Sequence, residues 1–199
     1  LYTINIMLNY PKQQYQRWNK FKLSKKKSSP ILFRILDLLE DIIIALVFVL
    51  IIRHFIIQVS LIPTISMEPT LNVGDRLFVN KYIYRFHAPQ RGDIVVFLSP
   101  IKDKKHYVKR CIGLPGDTIQ IKKGNIFINN KVLLLPGVDV QRDYDFKDPI
   151  IVPKDTYYVL GDNRANSSDS RVWGFVSREN ILGKALFTFW PLSHMKTLR

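Results

Sequence analysis

Residues Ile42–Ile52 (IIIALVFVLII) are eleven apolar positions without a break, and after Arg53 and His54 the run resumes at Phe55–Ile57, Val59, Leu61 and Ile62. So apolar a stretch must enter either a protein core or a bilayer. Ile42–Ile62 is 21 residues long, close to the ~20 that carry a helix across the hydrocarbon layer. Arg53 then has to snorkel or meet a protein partner, since holding it at mid-membrane costs ~2.5–3.5 kcal/mol. The flanks favour the bilayer. Lys22, Lys25, Lys26, Lys27 and Arg34 lie within about 20 residues on the N-terminal side, a window taken from the charge-bias rule, against Arg76 and Lys81 on the other. The expectation is one N-terminal transmembrane helix at 42–62, with residues 1–41 a basic cytoplasmic segment and the rest outside.

The net charge of +14 on 199 residues invites a nucleic-acid reading, so its distribution matters. Residues 1–36 hold eight basic residues and no acidic one; the remaining 22 basic and 16 acidic residues leave only +6. A basic block against an apolar run suits anionic lipid. No nucleic-acid-binding motif accompanies it, so no nucleic-acid partner is expected. Cys111 is the only cysteine, which excludes an intramolecular disulfide and a cysteine-based zinc site. His54, His87, His106 and His194 lack metal-ligand spacing. Chemistry without metal or cofactor is expected.

From Leu77 onward the pattern changes. Ile94–Leu98, Tyr107–Ile112, Ile119–Ile121, Ile126–Ile128, Val132–Leu135 and Tyr157–Leu160 are short runs rich in β-branched and aromatic residues. Gly92-Asp93, Pro115-Gly116-Asp117, Gly124-Asn125, Asn129-Asn130 and Pro136-Gly137 punctuate them as turns. The spacing predicts a mainly β domain at 63–199, of a partly open barrel type. A helical turn is expected at Ser177–Leu182 and a polar mobile loop at 138–149.

Three segments carry chemistry-bearing residues. In Ile62–Leu71 (IPTISMEPTL), Pro63 and Pro69 hold the chain out of regular helix around Ser66. A serine hydroxyl needs a positioned base to act as a nucleophile. His106 and Lys109 lie in Lys105–Ile112 (KHYVKRCI). As a strand, this segment sets Tyr107, Lys109 and Cys111 on one face and Val108, Arg110 and Ile112 on the other. Burial there would depress the lysine towards neutrality, as a general base requires. His106, beside Lys104 and Lys105, reads as solvated. The third segment is Gly161–Val176 (GDNRANSSDSRVWGFV), where Ser167 could bond a neutral lysine and Asp169 could pair with Arg171. On spacing alone, Ser66 reads first as a turn residue and Lys109 as an exposed strand lysine, and the third segment also reads as a polar loop.

Taken together, PTISMEPTL with GDRLFVNK, then RGDIVVF, YVKRCIGLPGD and GDNRANSSDSRVWGFV resemble, in order, the signature boxes of the type I signal peptidases. The resemblance covers roughly residues 42–189. It implies a β-rich catalytic domain at 63–199 and cofactor-free cleavage of preproteins at the outer face of a cell membrane, behind a lipid-embedded anchor. It places the nucleophile at Ser66, the general base at Lys109 and an oxyanion hydroxyl at Thr64, where many members have serine. Ser167 matches the residue that orients the lysine, and Asp169 with Arg171 a supporting ion pair; Asp162 would hold Arg110. Ala165 stands where an acidic residue is common, and Cys111 where an aliphatic is usual. The short stretch between Gly116 and Gly161 matches the compact form of the family.

The implied partners are signal-peptide ends with small residues before the scissile bond, an Ala-x-Ala preference. The alternatives are a specialised processing peptidase of the same family and a catalytically silent membrane scaffold. Self-cleaving repressors share the chemistry, but they carry an N-terminal DNA-binding domain where this chain has a basic tail and an apolar run.

Overall fold

The structure, a computed structural model, describes residues 14, 16–18, 20, 30–55, 57–101, 103, 105–135 and 148–198. The chain divides into two units, 1–52 and 53–199. Lys12, Lys22, Lys25, Lys26 and Lys27 of the basic block lie outside the described residues, as does the expected mobile loop apart from Asp148 and Pro149.

Helix α1 runs from Pro30 to Phe55. Aliphatic side chains from Ile42 to Ile52 are exposed along it, an apolar surface with no polar face of the kind that surface helices carry. The expected 42–62 span is not one helix. Among the described residues no helix is long and apolar enough to cross a membrane. Asp37, Glu40 and Asp41 break the apolar stretch on one side and Arg53 on the other, and Ile57–Leu61 is strand β1. The single-residue gaps at Gln58 and Ser60 fit a strand: β1 pairs antiparallel with β2, Arg76–Asn80.

The second unit is mainly β, as expected. Its strands continue as β3 Ile94–Leu98, β4 His106–Gly113, β5 Thr118–Lys122, β6 Asn125–Ile128, β7 Lys131–Val132, β8 Ile150–Ile151, β9 Thr156–Leu160, β10 Val176–Ser177, β11 Ile181–Trp190 and β12 Lys196–Thr197. They form two open sheets rather than a closed barrel. The larger has the order β1-β2-β11-β3-β4-β9-β10, with β12 beside β11; the smaller is β7-β6-β5-β8. Every pairing is antiparallel.

Local chemistry explains the small sheet. Thr118–Lys122 and Asn125–Ile128 alternate buried and less buried positions. Lys123-Gly124 and Asn129-Asn130 join successive strands with all four residues at positive φ, the backbone of the tight primed hairpin turn. Strand β11 went unseen in the sequence. It pairs with both β2 and β3, yet register shifts between Ile181 and Gly183, Ala185 and Phe187, and Thr188 and Trp190 break its alternation. Of the expected turn at Ser177–Leu182, Arg178–Asn180 is a 3₁₀ turn and Ile181 already opens β11.

Three apolar clusters fill the unit. Ile62, Met67, Leu71, Leu77 and Val79 belong to the first, Val95, Phe97, Cys111 and Val159 to the second, and Ile112, Ile119, Ile121, Ile126, Ile128, Tyr158 and Leu160 to the third. Strand β4 touches all three: Val108 packs on the first, Tyr107 and Cys111 on the second, Ile112 on the third.

Candidate active site

Ser66 sits in a 3₁₀ turn, Ile65–Met67, within a loop that leaves and re-enters the large sheet. Pro63 and Pro69 prevent a longer helix. The base of the loop is closed by bonds from the Ile62 N–H to the Asp75 carbonyl and from the Gly74 N–H to the Ile62 carbonyl, both 2.9 Å. The fully buried Asp75 carboxylate accepts from the Asn72 N–H at 2.9 Å and lies 2.8 Å from His194 Nδ1. Met67 and Leu71 plug the first apolar cluster. The loop is thus held from both ends and below, which fixes Ser66 in place.

Lys109 lies mid-way along β4, opposite Val95 of β3, and is 4% exposed. Its Nζ donates to Ser66 Oγ at 2.5 Å. Loss of hydration lowers the amine to about 8, against the attraction of Asp169 and Asp162 and with help from Arg171. The Thr64 hydroxyl is 3.3 Å from Ser66 Oγ. His106 is exposed. Burial pushes the neighbouring Cys111 thiol up to about 12, so it stays protonated and inert at neutral pH.

The third segment frames this pair. Arg171 Nε and Nη2 each donate to Asp169 at 2.9 Å, a two-pronged fork buried on both sides. Asp169 also accepts from the Gly161 N–H at 3.0 Å, while Arg171 Nη2 donates to the Arg164 carbonyl at 2.8 Å. Asp162 takes Arg110 Nε at 2.8 Å and Nη2 at 2.6 Å, and Arg110 Nη1 reaches the Gly92 carbonyl at 2.9 Å. Both expected ion pairs form. Ser167 Oγ is buried and makes no hydrogen bond, so the expected bond to Lys109 is absent from this arrangement.

Two residues that sequence reasoning missed hold the site. A methyl on Gly161 would fall 2.2 Å from Ser167 Oγ and 2.4 Å from the Ser66 carbonyl oxygen, so only hydrogen fits there. Asn163 donates from its N–H to the Ser66 carbonyl and from Nδ2 to the Ile65 carbonyl, both at 3.2 Å. The dense polar composition of 161–171 hinted at such bonding, but partners 98 residues apart carry no local signal.

Residues 35–190 match the family described as signal peptidase, peptidase S26. The chain belongs to this family. It is 41% identical over 181 residues to signal peptidase I of Leptolyngbya laminosa, covering 87% of this chain and 86% of that one. It is 41% identical over 186 residues to signal peptidase I P of Bacillus subtilis subsp. natto, covering 88% and 98%, and 39% identical over 191 residues to signal peptidase I T of Bacillus subtilis, covering 89% and 95%. A crystal structure of a signal peptidase I from Enterococcus faecalis V583 shares 32% identity over 49% of this chain and 97% of that one, with a TM-score of 0.41.

In this signal peptidase family member the serine and lysine open onto a cleft of about 460 Å³. It is lined by Leu61–Thr64, Met67, Lys105–Val108, Asn166 and Ser168. Strand β9 pairs with β4 only from Arg110 onward, so in the register of the sheet His106–Val108 are bonded to β3 on one edge alone. The cleft therefore offers strand backbone beside Leu61, Ile62, Met67 and Val108, with the serine and lysine among its lining residues.

Proposed function

We propose that the chain removes signal peptides from exported preproteins with Ser66 as nucleophile and Lys109 as general base. One observation carries this reading: a buried amine lowered to about 8 lies 2.5 Å from a serine hydroxyl, both lining a cleft. In the neutral amine the bond reverses and the hydroxyl donates to the nitrogen lone pair. The end of the signal peptide adds as an extended strand along the open edge of β4. Small side chains, Ala-x-Ala, suit the shallow walls made by Ile62, Met67 and Val108.

Ser66 Oγ attacks the scissile carbonyl carbon while its proton moves to Lys109 Nζ. The oxyanion so formed takes hydrogen bonds from the Thr64 hydroxyl and the Ser66 N–H. The ammonium returns the proton to the leaving amine, the C–N bond breaks and an acyl-enzyme remains. Water, deprotonated by the same amine, attacks the ester and frees Ser66. The Asp169–Arg171 fork braces the 161–171 segment, and the Asp169 carboxylate attracts the lysine ammonium.

The exposed aliphatic surface from Ile42 to Ile52 anchors the protein in the bilayer, with the basic residues before it cytoplasmic and the β-rich domain, which begins with β1 at Ile57, on the outer face. Exposed apolar side chains beside a basic flank support that placement.

The deciding experiment is cleavage of a preprotein bearing Ala-x-Ala by the full chain in membranes. Lys109→Ala and Ser66→Ala should each abolish processing while β-sheet circular dichroism is retained. Undiminished processing by either variant ends the assignment. Protease digestion of intact spheroplasts should remove the 63–199 domain; its protection would reverse the topology.

A further inference from the structure

The peptide unit between Ile65 and Ser66 carries the Ile65 carbonyl oxygen and the Ser66 N–H, and planarity points the two in opposite directions. Whatever grips that oxygen therefore aims that N–H. Two donors grip it: the Glu68 N–H at 3.1 Å and Asn163 Nδ2 at 3.2 Å. One peptide further on, the Ser66 carbonyl accepts from the Asn163 N–H at 3.2 Å. Asn163 thus holds both peptide planes that meet at the Ser66 α-carbon. The orientation of its amide is set from the other end. Oδ1 accepts from the Asn166 N–H at 3.2 Å and from Asn166 Nδ2 at 3.4 Å. A flipped amide would put donor against donor there and acceptor against acceptor at Ile65.

We infer that Asn163 is the positioning residue of the oxyanion site, its bond to the Ile65 carbonyl keeping the Ser66 N–H aimed at the oxygen of the scissile bond. This deepens the proposed function and rests on Ser66 being the nucleophile and its own N–H a donor. Asn163 touches neither substrate nor the migrating proton. A bond accepted at the carbonyl also polarises the unit and strengthens its N–H as a donor. Negative charge on the substrate oxygen develops fully only towards the transition state, so the effect falls on kcat.

The test uses the purified full chain with Asn163→Ser and the isosteric Asn163→Asp. Both keep an oxygen that can accept from the Asn166 N–H, and neither can donate to the Ile65 carbonyl: the serine hydroxyl is too short and the carboxylate has no proton to give. Turnover should fall about 10- to 100-fold, less than the ~10²–10³ for deleting a donor outright. KM should stay unchanged in both, and the pH at which activity levels off should stay unchanged in the uncharged Asn163→Ser. A peptide aldehyde, whose hemiacetal oxygen occupies the oxyanion position, should bind more weakly by the same factor. An uncleavable peptide of the same sequence should bind as before.

Parental kcat in both variants overturns the inference, as does a pH limb moved in Asn163→Ser, which adds no charge and would then make Asn163 act through the lysine. An equal weakening of aldehyde and uncleavable peptide also overturns it, since that marks a general loss of cleft structure. Ser66→Ala separates the two levels. If it retains turnover, the nucleophile assignment itself has failed. If it is inactive while the Asn163 variants match the parent, only the positioning role has failed.

Discussion

The small sheet and the serine–lysine region are built on opposite terms. In the small sheet Ile119, Ile121, Ile126 and Ile128 turn one face inward onto Ile112, Tyr158 and Leu160. Its two hairpin turns use Gly124, Asn129 and Asn130, residues that tolerate positive φ. A few strands away, Lys109, Arg110, Asp162, Arg164 and Asp169 are all buried. Desolvating those groups costs several kcal/mol each before pairing offsets it. The small sheet is the arrangement stability alone would select. The other region gives up stability to hold an easily neutralised amine against a hydroxyl, and its cost and its chemistry share one origin.

The sharpest way to break this contrast is Lys109→Met. With the base gone, cleavage should fall by at least ~10⁴-fold, the scale seen when one member of a nucleophile–base unit is removed. The fold should become more stable at neutral pH. An amine at about 8 in the native state and 10.5 otherwise binds fewer protons folded than unfolded between those values, so stability rises with pH across that window and is lowest below it. The penalty is about 3 kcal/mol at pH 7, and an apolar side chain of similar length escapes it. Urea titrations of parent and variant at pH 7 and pH 10 should differ clearly at the first and little at the second. Equal stability at both would place the amine in water, and the contrast between the regions would disappear.

Gly161→Ala comes next. The added methyl collides with Ser167 Oγ and with the Ser66 carbonyl, at 2.2 and 2.4 Å. The Ser66 main chain must then shift relative to Lys109, and a misplacement of 1 Å costs about 10²-fold in rate. Single-turnover cleavage should show the loss in the chemical step. An unchanged rate would mean the loop adapts freely, contrary to its closure by Asp75 and Asn163.

The same contrast explains what could be read from sequence. Strands β3, β4, β5, β6 and β9 were legible because apolar alternation or an unbroken β-branched run bounded by turn residues reports burial directly. Strand β11 was not, because three irregularities destroy its period and its environment is set by β2 and β3, far away in sequence. Strand β1 was absorbed into the apolar run before it, since Ile57, Val59 and Leu61 serve a strand and a helix end equally well. Ser66, Lys109, Asp169 and Arg171 came from the boxes rather than from spacing, and the structure brings them together. Asn163 and Gly161 lay inside the quoted boxes without a role, because one acts through a main-chain carbonyl 98 residues away and the other through the absence of a side chain. The Thr64 hydroxyl lies 3.3 Å from Ser66 Oγ. Ser167 does not make the bond expected of it.

A smaller effect concerns pH. With the amine at about 8, kcat/KM should rise about tenfold per unit up to that value and then level, because only the neutral lysine accepts the serine proton. His106→Gln should leave the profile where it was, since His106 is exposed at the mouth of the cleft. A limb that moves or vanishes in that variant would transfer the base function to the histidine.

The least effect on turnover is expected from Ile121→Val. Ile121 is fully buried among Ile119, Ile126 and Ile128, and removing one methylene there costs about 0.5–1.5 kcal/mol. That lowers Tm by about 2–4 °C per kcal/mol in a chain of this size. No bond to Ser66, Lys109 or the 161–171 segment passes through the side chain. Its apolar cluster does include Leu160, next to Gly161, so the substitution asks whether slack introduced in the small sheet reaches the serine. With Leu160 held in β9 beside β4, the strain stays local and kcat should match the parent. A fall in kcat beyond twofold would show that the apolar sheet sets the geometry of the reacting pair.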